Sequence, residues 1–144
     1  IFMYEFGDLY LDVLGEEVSA KAYPFRSFLD AGLYPSASSD APVSSTNPFQ
    51  NLYSMITRKT KRGTLIGGNE ALTLEEALHC YSYCGAYGSF EEGIKGTLKQ
   101  GQLGDITVFD RDLFAIEPGE ILEASADLAI VGGEIMFDRQ AEAA

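Results

Sequence analysis

The amino-acid sequence predicts an α/β fold, and three observations predict it. Helix start signals and apolar stripes at helical spacing fill most of the first hundred residues. One short strand, Leu33 to Ala37, interrupts them and is followed by a further helix. Beyond about residue 101 the pattern changes to short alternating runs between glycine turns, the mark of a small sheet. The 144 residues suit one domain of ordinary size, and 46% hydrophobic content is enough for a core.

Residues 1–14 are aromatic and apolar with three acids, and are read as a strand end, a loop and a helical turn. Gly15 breaks them. Glu16 to Ala22 suits a helix with acids in its first turn, where the helix dipole favours them. Pro24 suits the first turn of a helix over Phe25 to Ala31, with Phe25, Phe28 and Leu29 on one face and Gly32 closing it. Leu33 to Ala37 is the strand, although Pro35 cannot donate a ladder hydrogen bond. Asn47-Pro48 reads as N-cap and first residue of a helix to about Arg58, with Phe49, Leu52, Tyr53 and Ile56 as its stripe. The basic run Arg58-Lys59-Thr60-Lys61-Arg62 is read as cations facing a helix C-terminus rather than as a phosphate site. Gly63, Gly67 and Gly68 mark a loop that lacks the Lys and Ser/Thr of a phosphate loop.

Thr73-Leu74-Glu75-Glu76 is a capping box opening a helix to about Cys84, with Leu74, Ala77, Leu78 and Tyr81 inward. Ser89 and Glu92 suit a second short helical piece. Asp105 to Asp110 alternates as a half-buried strand. Pro118 to Ile121 reads as a turn with room for a helical turn, and Gly132-Gly133 joins Leu128–Val131 to Glu134–Phe137 as a hairpin. Three strands are thin for a free-standing sheet. Residues 139–144 are read as a frayed tail.

A net charge of −12 and a pI near 4.3 argue against nucleic acid as a partner. No 18-residue apolar run appears, so no membrane partner is expected. No signal peptide is seen. The opening Ile1-Phe2-Met3-Tyr4 reads as the inside of a longer protein. Two cysteines do not make a disulfide framework, which makes a cytoplasmic location the expectation.

Few residues are suited to chemistry. His79 is the only histidine and falls on the polar side of its helix. Cys80 and Cys84 share a face at i, i+4, but two thiols without further Cys or His are not a zinc site, and both are read as small core residues. One His cannot supply a nucleophilic triad. Asp40 is the best carboxylate, placed just after a strand and framed by Ser38, Ser39 and Pro42. On the residue pattern alone, an Asp there more often makes a turn than a catalytic site.

Ser39-Asp40-Ala41-Pro42-Val43 with Asn47-Pro48-Phe49 resembles the Ser-Asp-Ala-Pro motif and following helix of the amidohydrolase superfamily. The resemblance is to amidohydrolase family 3, which includes formamide deformylase-like and exoenzyme-regulator-like proteins. It extends through Tyr23-Pro24-Phe25-Arg26-Ser27, Leu29-Asp30-Ala31-Gly32, Leu72 to Leu78, Gly96-Thr97-Leu98, Gly101 to Asp105, Val108-Phe109-Asp110 and Ile130 to Gly133. It spans nearly all of residues 2–138. The family often has Gly where Ser38 stands and Ala where Gly104 stands, and Pro35 is unusual.

The resemblance implies the C-terminal fragment of a (β/α)8 TIM barrel followed by part of a small β-sandwich domain. Residues 1–95 would hold the last barrel units and following helices, residues 96–138 the strands of the small domain, and 139–144 the tail. It implies a metal-dependent hydrolase of a C–N bond of the amide or formamide type in a small-molecule substrate. Its metal, expected to be zinc, would be held by His and Lys or Glu residues on earlier strands, none of them in this chain, and by the strand-eight Asp, which Asp40 matches. In that role Asp40 is both metal ligand and proton shuttle, and the chain alone is expected to be inactive. The alternative is a catalytically inactive scaffold that self-associates as a homo-oligomer through its aromatic, acidic N-terminus.

Overall fold

A computed structural model describes residues 1–142. The strand end and loop expected over the first fourteen residues are a helix instead, α1 (Phe2–Leu14). Phe2, Phe6 and Tyr10 recur every fourth residue. The Phe2 and Phe6 rings lie 5.8 Å apart, and Tyr10 lies 6.2 Å from Tyr23. Packing of that face outweighs the β preference of its aromatic residues. A second face holds Gly7, where a Cβ would fall 2.7 Å from the Thr60 methyl. The glycine therefore sets how closely α1 approaches residues 60–66.

Helices α2 (Glu16–Ala20) and α3 (Phe25–Asp30) follow as expected, each a little shorter. Gly32, at φ 74°, closes α3, and the Leu33 N–H donates to the Phe28 carbonyl at 3.0 Å. The strand expected at Leu33 to Ala37 is extended chain without a ladder partner among the described residues. Pro35 brings no donor, and the Ala37 N–H is used by the Cys80 carbonyl at 3.0 Å.

Helix α4 (Pro48–Thr57) starts where its signals place it, with the Asn47 side chain accepting the Phe49 N–H at 2.9 Å. Its buried residues Phe49, Leu52 and Met55 meet Leu72, Ala77 and Cys80 in the main core. Helix α5 (Leu74–Tyr81) carries the complete Thr73–Glu76 capping box. The single helix expected to reach Cys84 breaks at Ser82 and resumes as α6 (Tyr83–Gly88), and both cysteines are buried. The short helical piece expected at Ser89 to Glu92 is a turn.

Strands β1 (Ile106–Phe109), β2 (Ala126–Val131) and β3 (Glu134–Asp138) form an antiparallel sheet in that order. Phe109 turns one face of the sheet onto α4, its ring 5.3 Å from that of Phe49 and edge-on to it. Asp110 pins the end of β1 by accepting from Arg111, from the Ser125 N–H and from the Ser125 hydroxyl. The tail begins as a single helical turn, α7 (Arg139–Glu142), and Ala143 and Ala144 lie outside the described residues.

The segment after α4 returns against it. Arg58, at φ 55°, ends the helix; its own N–H donates to the Ser54 carbonyl at 2.8 Å, and its carbonyl accepts the Ile66 N–H at 2.9 Å. Gly67, at φ 58°, then passes over the end of α2, where a Cβ would fall 2.3 Å from the Ala20 carbonyl oxygen. Both the backbone angle and that contact exclude a side chain. Gly67→Ala is expected to lower unfolding free energy by about 3 kcal/mol with an unchanged denaturant m-value, measured by urea titration.

Candidate functional site

The extended stretch 33–39 delivers the chain to Asp40 at the edge of a cavity of about 210 Å³ between α1, α4 and the loops around them. Asp40 is exposed and stands in the left-handed region at φ 52°. Such a conformation is uncommon for a residue with a side chain, and Asp tolerates it better than most. The turn is closed locally. The Asp40 N–H donates to Ser38 Oγ at 3.0 Å and the Asp40 carbonyl accepts the Val43 N–H at 2.9 Å. The Ala41-Pro42 peptide is cis. Among the described residues the Asp40 carboxylate has no hydrogen-bonding or ion-pair partner, which leaves it free to act on something else.

The cavity wall is mostly apolar, with Phe2, Met3, Phe25 and Met55 among its lining, and Asn51, Arg58 and Glu70 add polar side chains to it. Asn51 on α4 donates through Nδ2 to the Ser38 carbonyl at 3.2 Å and to Tyr81 Oη at 2.6 Å. Arg58 is only 3% exposed. It donates through Nε to the carbonyls of Ile66 and Gly67, through Nη1 to that of Tyr23 and through Nη2 to that of Ala22. Burial pulls its pKa below the usual guanidinium value, and nearby Glu70 partly opposes this. The reading of residues 58–62 as one group of helix-end cations is therefore corrected. Arg58 is a buried tie between segments, while Lys59, Lys61 and Arg62 are exposed.

Glu70 is buried at 6% exposure. Desolvation pushes its pKa up. The Ser27 hydroxyl and N–H, with the charge of Arg58, more than offset this and hold the carboxyl below the ordinary Glu value. His79 stands apart from the cavity, stacked on the Tyr83 ring at 5.0 Å.

The donor set is short of a metal site. Among the described residues no group of three or more His, Cys, Asp or Glu converges on a point. Asp40 fits a metal as one carboxylate ligand, and the other ligands would have to come from elsewhere. Asn51 and Glu70 were not singled out from the sequence. Their available signal was a polar residue at a helical position flanked by core residues, and a lone acid beside glycines.

Comparisons with known proteins agree on one family. The family model described as "Amidohydrolase family" matches residues 1–137. An N-substituted formamide deformylase of Arthrobacter pascens is 31% identical over 119 residues, covering 83% of this chain and 22% of that protein. A Bacillus subtilis (strain 168) protein named as an amidohydrolase, YtcJ, is 25% identical over 132 residues, covering 90% of this chain and 25% of that protein. The crystal structure of an amidohydrolase from Thermotoga maritima MSB8 superposes with a TM-score of 0.56 at 15% identity, over 80% of this chain and 26% of that one. That likeness is one of fold. The chain thus spans about a quarter of the length of the relatives it matches.

The Glu70 cluster sets a pH dependence. A carboxyl whose folded pKa is depressed adds stability above its unfolded pKa and loses it as pH falls through the folded value. Glu70→Gln is expected to cost about 1–2 kcal/mol at pH 7 by weakening charge-assisted bonds. The difference from the unsubstituted chain should shrink as pH falls below the ordinary Glu value of 4.5, as followed by chemical denaturation at a series of pH values.

Proposed function

The chain belongs to the amidohydrolase family, and on that premise we propose that it is the C-terminal part of a metal-dependent hydrolase of C–N bonds. The carrying observation is Asp40, an exposed carboxylate without a protein partner, held on a locally closed turn at the end of an extended segment. In this reading residues 33–37 are the last strand of a (β/α)8 barrel whose neighbours lie outside this chain, and α4 is the helix that follows it. The antiparallel sheet is part of a small β-sandwich domain. Barrel enzymes place their reacting groups at the C-terminal ends of strands, which is where Asp40 then falls.

A divalent metal, zinc in our reading, would polarise the scissile carbonyl and acidify water when bound with its remaining ligands. Asp40 would contribute one oxygen to it. The second role of Asp40 is proton transfer. Its carboxylate takes a proton from the attacking water as the new C–O bond forms, then gives it to the leaving nitrogen as the C–N bond breaks. The products are a carboxylic acid and an amine. An N-substituted formamide is the substrate class to test first, because a relative with 31% identity is named for it.

A second reading, a self-associating scaffold, draws on the exposed aliphatic residues of the N-terminal helices: Leu9, Val13, Leu14 and Val18. Sedimentation equilibrium of this chain separates the two: a concentration-dependent dimer abolished by Val13→Glu supports the scaffold, and a monomer opposes it.

The enzymatic reading predicts that Asp40→Asn, made in the complete polypeptide, lowers kcat/KM for formamide hydrolysis by about 10³-fold and reduces bound metal. Metal analysis and initial rates check this. Full metal content with an unchanged rate contradicts it.

A further inference from the structure

Asp40 is linked to the core by a short series of hydrogen bonds that the assigned role of Asp40 does not by itself require. Asn51 is 5% exposed and sits on α4 between the core residues Phe49 and Leu52. Both hydrogens of its amide nitrogen are engaged: Nδ2 donates to Tyr81 Oη at 2.6 Å and to the Ser38 carbonyl at 3.2 Å. Tyr81 is itself fixed at the end of α5. The bond to its carbonyl holds Ser38, whose hydroxyl in turn accepts the Asp40 N–H at 3.0 Å. Asp40 then takes φ 52°, and its own carbonyl closes the turn onto Val43.

We propose that Asn51 and Ser38 are positioning residues that aim the Asp40 carboxylate, Asn51 by orienting the Ser38 peptide and Ser38 by holding the Asp40 N–H. The proposal rests on the reading of Asp40 as a metal ligand. The Asn51 amide N–H that Tyr81 Oη does not take needs an acceptor, and the acceptor it has is the carbonyl of the residue whose hydroxyl holds the Asp40 N–H. Ser38 is exposed, so its side chain adds little to packing, and a change there reads positioning apart from stability. Ligand placement by such outer partners is worth about 10–100-fold in metal affinity in known sites.

The test compares Asn51→Leu, Ser38→Ala and Ser38→Thr. In this chain, amide hydrogen exchange at Asp40 and Val43 should accelerate about tenfold in Asn51→Leu and Ser38→Ala, the effect of losing one net hydrogen bond. It should stay near the unsubstituted rate in Ser38→Thr, which keeps the hydroxyl. Exchange at Leu72, whose N–H is bonded to the Met55 carbonyl in the core, should not change in Ser38→Ala. In the complete polypeptide Ser38→Ala should weaken metal binding about tenfold, with Ser38→Thr restoring it. Unchanged exchange at Asp40 and Val43 in Ser38→Ala, or unchanged metal affinity, overturns the proposal, and the Ser38 pair decides even where Asn51→Leu fails to fold. Retention of metal by Asp40→Asn is a separate outcome that overturns the ligand reading itself.

Discussion

The buried guanidinium of Arg58 is the interaction on which this arrangement depends. Taking a cation out of water is costly unless its donors are met. Here they reach four carbonyls, two in the turn before α3 and two in the return after α4. That fixes the C-terminal end of α4 against both segments. A lysine would supply one compact charge and could not span four acceptors in this way. Gly67 belongs to the same constraint, because its carbonyl is one of the four and its missing Cβ allows the approach to Ala20.

With α4 held, its two faces serve different ends. Phe49, Leu52 and Met55 build the core that joins α5, and Phe49 receives the sheet through Phe109. Asn51 faces the Ser38 carbonyl. The helix thus connects packing to the loop that carries Asp40, and a disturbance of its register would be felt at both. The polar side chains that Asn51, Arg58 and Glu70 add to the mostly apolar cavity wall bond to other protein groups. Of the charged side chains that line the cavity, the Asp40 carboxylate alone has no protein partner among the described residues.

Much of this was legible in the sequence where a local signal and the tertiary packing agree. Asn47-Pro48 and the Thr73–Glu76 box start their helices, and Gly132-Gly133 closes its hairpin, because capping and turn chemistry act over a few residues. Residues 1–14 read as a strand end and loop because their aromatic composition outweighs the four-residue spacing of Phe2, Phe6 and Tyr10, and Tyr23, which that face packs on, is distant in the sequence. Leu33 to Ala37 is expected as a strand and is extended chain instead, because extended chain becomes a strand only beside another and the described residues supply none. Arg58 looked like one member of a basic run. Nothing local says that it turns inward while Lys59, Lys61 and Arg62 do not. The reading of Asp40 as a site residue rests only on the ordered motifs around it, since a carboxylate in a turn carries no signal of its own.

The central claim is that Asp40 is a metal ligand in a hydrolase whose other ligands lie beyond these residues. Crystallography of the complete polypeptide loaded with zinc, with anomalous scattering measured at the zinc edge, tests it most directly. The account predicts a zinc peak with an Asp40 carboxylate oxygen at about 2.0–2.2 Å. A zinc ion bound with a full ligand set that leaves Asp40 outside it would contradict the account.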